Sequence, residues 1–114
     1  YTTLKPNTLP SNVGLEFQIA DDADGPISHQ SSGAFYGKHA PLRSAIRPAG
    51  EWNALEIECR GTKIRATLNG QVVQDVDTTA VDALRDRPTC GYLSLQNHGH
   101  NIEFRQLRLK VLGE

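Results

Sequence analysis

The feature that most constrains the fold is a strict alternation of apolar and polar residues near the end of the chain, at positions 90–111. Leu93 and Leu95 alternate with polar neighbours, and Ile102 and Phe104 repeat the pattern after a turn of Asn, His and Gly. A period of two residues is typical of a half-buried β-strand, and Gly and Asn tolerate the positive φ of a hairpin turn. The stretch therefore predicts a β-hairpin with one apolar face.

The other face of this predicted hairpin carries polar groups. The apolar positions change phase between Arg105 and Gln106, as a β-bulge would produce. Up to that point the alternation assigns the polar side chains of both strands to one surface. The residues expected on this surface are Gln96, His98, Glu103 and Arg105.

A second alternating segment, residues 13–20, forms the clearest strand of the chain, with its apolar residues on one side. Glu16 and Gln18 lie on the other side, and their two-residue spacing places them roughly 7 Å apart at the rise of a β-strand. The segment therefore predicts a carboxyl and an amide side by side on a sheet surface.

Three shorter alternating runs between residues 54 and 76 are separated by turns. The turn Asn69-Gly70 is a strong hairpin signal, because both residues tolerate positive φ. These runs predict a three-stranded meander. The segment after it, residues 77–87, predicts one or two helical turns capped by Thr78 or Thr79.

About seven short strands and almost no helix indicate an all-β fold, either an antiparallel β-sandwich or a jelly roll. The length of 114 residues fits one domain, residues 1–114, that buries about 65% of the surface of its unfolded chain. Residues 1–12 lack periodicity and predict a loop.

Charge and hydropathy argue against two classes of partner. With 12 basic and 13 acidic residues the formal net charge is −1, so no basic surface predicts binding to nucleic acid or to an anionic membrane. No apolar run approaches the roughly 20 residues of a transmembrane helix. An export signal would lie upstream of Tyr1. Cys59 and Cys90 leave two alternatives open, one disulfide or two buried free thiols.

The sequence predicts no metal site and no cofactor. The acidic loop at residues 21–33 is similar to a calcium loop in composition, but it lacks the required ligand spacing. His98 and His100 flank a glycine turn, and no third ligand is evident beside them. Neither group therefore forms a recognisable metal motif.

Four motifs of the chain resemble the 3-keto-disaccharide hydrolase family, which has a concanavalin-like jelly-roll fold. They are G-L-E-F-Q-I-A-D at Gly14–Asp21, G-E-W-N-A-L-E-I at Gly50–Ile57, L-N-G at Leu68–Gly70 and G-Y-L-S-L-Q-N-H-G-H-N-I-E-F-R-Q-L at Gly91–Leu107. Domains of this family are usually longer, and they begin with a Phe-Asp-Gly-like start and a Trp-containing segment that are missing here. The resemblance therefore implies an incomplete or truncated domain, the C-terminal portion of the fold.

The resemblance also implies a function. It implies a secreted or periplasmic bacterial protein that acts on oligosaccharides or glycosides whose sugar is oxidised at carbon 3, with a site on the concave face of the sheet. The matching positions are Glu16, Gln18, Asp21, Gln96, His98 and Arg105. The alternation argument places the strand residues among them on polar faces independently of the family.

A 3-keto sugar offers elimination as one route of cleavage. The ketone acidifies the proton on carbon 2, so one base can remove it while a cationic group stabilises the enolate and the leaving group departs. We expect Glu16 or His98 to be the base, with Arg105 and Gln96 stabilising the oxyanion. In the structural alternative, Glu16 and Arg105 form a cross-strand ion pair and His98 shapes a turn.

Hydrolysis of an ordinary glycoside is the other reaction that this face could support. It needs two carboxyl groups about 5 to 9 Å apart, and Glu16 could supply them together with Glu103 or Asp21. The sequence does not decide between hydrolysis and elimination.

Aromatic residues supply the remaining candidates for sugar binding. Tyr36 is expected to stack on a sugar ring, and Lys38 is expected to donate a hydrogen bond at the rim. Trp52 lies between a turn and a strand, so we expect it to pack instead. The leading hypothesis is a glycoside-cleaving hydrolase or lyase. The alternative is a non-catalytic carbohydrate-binding module, because the same fold serves lectins.

Overall fold

The computed structural model describes residues 15–85, 93–97, 99 and 101–112 of the chain. The described part is an all-β structure, as predicted, with one antiparallel sheet and a single turn of 3₁₀ helix. Its elements are β1 (Leu55–Arg60), β2 (Lys63–Leu68), β3 (Gln71–Asp77) and the 3₁₀ turn Thr78–Ala80.

The three strands form the predicted meander in the order β1-β2-β3. The β1–β2 register pairs Leu55 with Leu68. Asn69 and Gly70 connect β2 to β3 with φ values of 51° and 81°, which is the conformation of a type I′ turn. Because this turn matches the twist of the flanking strands, the short Asn-Gly connection fixes the hairpin without a longer loop.

A β-bulge interrupts β3, and the alternation pattern did not predict it. Ala66 pairs with Gln74 and Thr67 pairs with Val72, so Val73 is an extra residue without a partner in β2. An extra residue shifts the phase of the side chains that follow it. Val73 and Gln74 are therefore both buried completely, although they are neighbours in sequence.

The hydrophobic core lies on one face of the meander. Ala66, Leu68 and Val73 form its buried centre. The partly buried residues packed against that centre are Phe17, Ala45 and Ile46. The contact with Phe17 holds the segment before the sheet onto the sheet, although the two are far apart in sequence.

The strand predicted at residues 13–20 is not formed in the described residues 15–20, and residues 13 and 14 lie outside the described residues. Only Phe17 forms a bridge, with Phe35. Gly33 and Ala34 both oppose Gln18, since Gly33 N donates to Gln18 O and Gln18 N donates to Ala34 O, each at 2.9 Å. Gly33 has φ +89°, as in a G1 bulge.

Beyond this bulge a side chain replaces the backbone ladder. The Ser32 hydroxyl accepts a hydrogen bond from Ala20 N at 2.8 Å and donates one to Ala20 O at 2.9 Å. Both backbone groups of Ala20 are therefore satisfied by a serine instead of by a partner strand. Because Ser32 takes the place of a partner strand at Ala20, regular backbone pairing ends after Gln18.

The hairpin predicted at residues 90–111 is not formed in the described part of that segment. Residues 93–97 and 101–112 contain no strand, and Leu93 and Leu109 are 85% and 83% exposed. Alternation identifies side chains that would share a face, but a strand also needs a paired backbone and a cover for its apolar side. Gln106 nevertheless has φ 54°, at the position where the phase change indicated a bulge.

Two local predictions are also wrong. The 3₁₀ turn is capped by Asp77, whose side chain accepts from Thr79 N, because a carboxylate one residue earlier than the predicted threonines reaches the free N–H groups. Cys59 is a free and exposed thiol, although it was expected to be buried or cross-linked. It lies on β1, the edge strand of the described sheet, where Leu55 and Ile57 are also exposed.

Candidate carbohydrate site

The pairing of Phe17 with Phe35 determines which side chains lie together. Tyr36 N donates to Glu16 O at 2.8 Å, on one side of this bridge. Because successive residues of an extended segment point to opposite faces, Glu16 and Gln18 are expected on the side opposite to Phe17, and Tyr36 begins the turn that follows Phe35. The hydrogen bond from Tyr36 N to Glu16 O makes these two residues neighbours across the backbone pairing.

The loop after Phe35 presents the other two candidates of this region. It is a tight turn, in which Phe35 N donates to His39 O at 2.9 Å and Lys38 N donates to Phe35 O at 2.8 Å. Tyr36 is 42% exposed, and Lys38 is half-buried beside it. An exposed aromatic ring with a neighbouring amine can cover a pyranose ring and bind its hydroxyl groups.

A buried amide lies behind this loop. Gln74 Nε2 donates to Gly33 O at 2.9 Å and to His39 O at 3.2 Å, while Gln74 Oε1 is 2.8 Å from His39 Nδ1. Because the amide nitrogen supplies both donors, Oε1 accepts, and His39 Nδ1 carries the proton. The sequence reasoning missed both residues: His39 has no spacing signal, and Gln74 turns inward only because of the bulge at Val73.

The acidic loop that begins at Asp21 has a hydrogen bond of its own to the segment before Gly33. Asp21 is exposed. Its neighbour Asp22 accepts a hydrogen bond from Ser32 N through Oδ2 at 2.8 Å, and Asp22 Oδ1 is buried without a hydrogen-bond partner. Across the described ranges, no group of three or more His, Cys, Asp or Glu residues is arranged to hold a metal ion.

Three candidates from the C-terminal segment, Gln96, Glu103 and Arg105, lie within the described residues. Gln96 and Glu103 are exposed. The Arg105 guanidinium lies 3.8 Å from the centroid of the Trp52 ring, so Arg105 is engaged with an aromatic ring and not in the ion pair with Glu16 that the structural alternative expected. His98 is outside the described residues, and its role as a base stays a prediction.

Trp52 forms the centre of a second polar and aromatic cluster. It is 41% exposed, so the expectation that it packs is met only on the side that Arg105 covers. Arg47 Nη1 donates to Trp52 O at 3.1 Å. Asn53 Oδ1 accepts from Arg47 N at 2.8 Å and from Asn69 Nδ2 at 2.7 Å. These bonds attach the segment before β1 to the β2–β3 turn.

The described sheet is antiparallel, and the four sequence motifs point to one family of domains. The chain belongs to the 3-keto-alpha-glucoside-1,2-lyase-like domain family, whose model matches residues 2–110. The resemblance inferred from the four sequence motifs is therefore confirmed. A comparison with curated proteins gives no match.

A solved structure supports the same fold class. The chain is similar to the crystal structure of a "Putative glycosyl hydrolase" from Parabacteroides distasonis ATCC 8503, with a TM-score of 0.58 and 26% sequence identity. The match covers 66% of this chain and 49% of that chain, so the chain spans about half the length of its neighbour. The jelly-roll class predicted from the sequence is confirmed. Among the described residues, no helix is long and apolar enough to cross a bilayer.

Proposed function

We propose that this domain belongs to a carbohydrate-active lyase or hydrolase that cleaves 3-keto-glycosides outside the cytoplasm, in the periplasm or after secretion. The supporting observation is the backbone pairing around the bridge between Phe17 and Phe35, which joins Tyr36 to Glu16 and includes Gln18. This pairing supports a site in which a carboxylate, an amide and an exposed aromatic ring act together, in a chain of a lyase-like family.

The proposed reaction is an elimination across carbons 1 and 2 of the sugar. The Glu16 carboxylate takes the proton from carbon 2, and the electron pair of that bond enters an enolate with the carbon-3 ketone. The enolate then collapses, carbons 1 and 2 become doubly bonded, and the bond from carbon 1 to the leaving oxygen breaks. The leaving oxygen gains a proton, so the products are an alcohol and an unsaturated keto sugar. Addition of water to that double bond would complete a net hydrolysis.

The other residues supply binding and charge stabilisation. Tyr36 stacks on the sugar ring, and the Gln18 amide binds a hydroxyl group beside the carbon that loses its proton. Lys38 lies in the same loop as Tyr36 and offers a cationic donor to the developing enolate oxygen. Arg105 and Gln96 were predicted to act on this oxyanion, and His98 was predicted as an alternative base.

The test is turnover of 3-keto-trehalose and of unoxidised trehalose by the full-length protein and by Glu16→Gln. We expect wild type to release glucose from the keto sugar only, and we expect Glu16→Gln to lose about 100- to 10,000-fold in rate, the usual contribution of a general base. Glu56→Gln is the matched control, because Glu56 is an exposed glutamate on β1. Equal rates for wild type and Glu16→Gln would remove Glu16 from the mechanism.

A non-catalytic carbohydrate-binding module is the second candidate function. Two exposed aromatic side chains, Tyr36 and Trp52, favour it, because such rings form the usual sugar-stacking platforms. Calorimetric titration with 3-keto-trehalose separates the two functions. Binding by wild type without release of glucose would support the module, and release of glucose would exclude it.

A further inference from the structure

We propose that Gln74 is a positioning residue, which acts through His39 to hold the loop of Tyr36 and Lys38 in place for sugar binding and cleavage. The inference rests on the proposed function for its link to catalysis. Its structural part, a buried amide that fixes the loop, stands on contacts that do not involve the substrate.

The burial and bonding of Gln74 single it out. It is fully buried, and a polar side chain that loses its water must be satisfied by hydrogen bonds. Its one amide group bonds Gly33 O at 2.9 Å, His39 O at 3.2 Å and His39 Nδ1 at 2.8 Å. All three partners belong to the segment 33–39, so the contacts of Gln74 serve this loop.

The two carbonyl groups lie at opposite ends of the loop. Gly33 precedes the paired residues Phe35 and Tyr36, and His39 closes the turn by its hydrogen bonds with Phe35. A single amide that bonds both ends limits how far they can separate. Tyr36 is bound in turn to Glu16 through its backbone N–H at 2.8 Å, so the constraint extends to the proposed base.

The chemistry of the position explains why an amide is needed. Two carbonyl oxygens accept from this side chain and the His39 N–H requires an acceptor, and Gln and Asn are the neutral side chains that offer two N–H donors together with an acceptor oxygen. A leucine would leave Gly33 O and the His39 Nδ1–H without a partner, and His39 O would keep only its hydrogen bond from Phe35 N. A glutamate would keep the acceptor for His39 but would set a charge against two carbonyl oxygens. The bulge at Val73 is what turns this amide toward the loop.

His39 contributes through one ring nitrogen. Nδ1 carries the proton and donates to Gln74, so an asparagine, whose Nδ2 can occupy nearly the same place, is the conservative replacement. Phenylalanine keeps the ring shape but has no donor. Comparison of His39→Asn with His39→Phe therefore separates a role through Nδ1 from a role through Nε2.

The experiment compares Gln74→Leu with Gln71→Leu, a control on the exposed side of the same strand, in the full-length protein. We expect Gln74→Leu to lose about 100-fold in kcat on 3-keto-trehalose, the effect of a misplacement of about 1 Å in a reacting geometry, and Gln71→Leu to retain wild-type kcat. Hydrogen exchange should accelerate at the Tyr36 amide in Gln74→Leu only. The nitrogen-15 shifts of the His39 ring should show a protonated Nδ1 in wild type and lose that signature in Gln74→Leu.

Each other result has a defined meaning. A folded Gln74→Leu with wild-type kcat and slow exchange at Tyr36 would overturn the proposal. If Gln74→Leu does not fold, the histidine pair decides, since positioning requires His39→Asn to keep most of the activity that His39→Phe loses. If His39→Asn and His39→Phe lose activity equally while hydrogen exchange at the Tyr36 amide stays slow, His39 has a direct role and the positioning role of Gln74 is overturned. If wild type cleaves no keto sugar, the proposed function fails. The hydrogen-exchange rate at the Tyr36 amide and the nitrogen-15 shifts of the His39 ring still test whether Gln74 fixes the loop.

Discussion

Phe17 and Phe35 meet edge to face, with ring centroids 6.3 Å apart and ring planes at 73°. Such aromatic pairs are more stable than their buried area alone would give. The two rings belong to residues that are bridged in the backbone, and Phe17 also packs against the core of the meander. The aromatic contact therefore stabilises, from the core side, the backbone pairing that joins Tyr36 to Glu16.

Removal of this contact should destabilise the fold strongly. Phe35 is 1% exposed, and truncation of a buried phenylalanine to alanine costs about 3 to 5 kcal/mol of unfolding free energy. We expect Phe35→Ala to reach that range in urea unfolding followed by circular dichroism. Ile27→Ala is the control, because Ile27 is exposed and surface changes usually stay within about 0.5 kcal/mol. Equal unfolding midpoints for the two variants would contradict the role of Phe35.

Gly33 should be intolerant of any side chain. Its φ of +89° disfavours other residues, and a Cβ there would lie 3.3 Å from Pro41 Cβ and 3.5 Å from Val73 Cβ. Backbone strain of this kind costs about 1 to 3 kcal/mol, and the crowding adds to it. We expect Gly33→Ala to lower the free energy of unfolding by more than Gly61→Ala, since Gly61 also has positive φ but has open space around it. A smaller loss of unfolding free energy in Gly33→Ala than in Gly61→Ala would show that the bulge accommodates a side chain at little cost in stability.

The turn signal and the alternation of apolar residues predict the meander, but they do not by themselves predict its bulge. The Asn69-Gly70 turn and the alternation on both sides of it determine one hairpin from adjacent residues. Val72 and Val73 form an adjacent apolar pair that interrupts the alternation, and this was an available signal for the bulge in β3. Gln74 was not predictable as a buried residue without that bulge, because its direction depends on the extra residue before it.

The sequence predicts only the part of the candidate site that lies within a single segment of the chain. Two-residue spacing predicts that Glu16 and Gln18 share one face. Tyr36 opposite Glu16 depends on a contact between segments about 20 positions apart, and no local pattern specifies such a register. The same limit applies to Arg105, whose contact with Trp52 joins residues far apart in the chain.

The contact between Arg105 and Trp52 should be visible in fluorescence, because the chain contains one tryptophan. The guanidinium lies 3.8 Å from the ring centroid, and a contact of this kind at an exposed site contributes about 0.5 to 1 kcal/mol. We expect Arg105→Ala to change the Trp52 emission spectrum and to expose the ring to acrylamide quenching. Arg108→Ala, at an exposed arginine three residues later, should change neither. Identical spectra for wild type and both variants would show that the stacked arrangement is not populated.

The cap of the 3₁₀ turn should make stability depend on pH in the acid range. The Thr79 hydroxyl donates to Asp77 Oδ1 at 2.6 Å and Thr79 N donates to the same oxygen at 3.0 Å. These bonds, led by the hydroxyl and joined by one from Thr62, hold the pKa of Asp77 below its ordinary value of 3.8. A carboxyl whose pKa is lower in the folded state stabilises the fold above its unfolded-state pKa, and this contribution is lost as the pH falls through 3.8 toward the lower folded value.

Two substitutions at this cap test the sign of the effect. Asp77→Asn keeps an acceptor oxygen but cannot titrate, so we expect it to be less stable than wild type near neutral pH and to approach wild type at about pH 3. Thr79→Val removes the hydroxyl donor while keeping the side-chain shape, and we expect it to weaken the pH dependence without abolishing it, since the backbone bond from residue 79 remains. The measurement is the urea midpoint of all three proteins across the acid range. A difference between wild type and Asp77→Asn that stays constant, or that widens as the pH falls, would show that the folded state does not favour the ionised carboxylate.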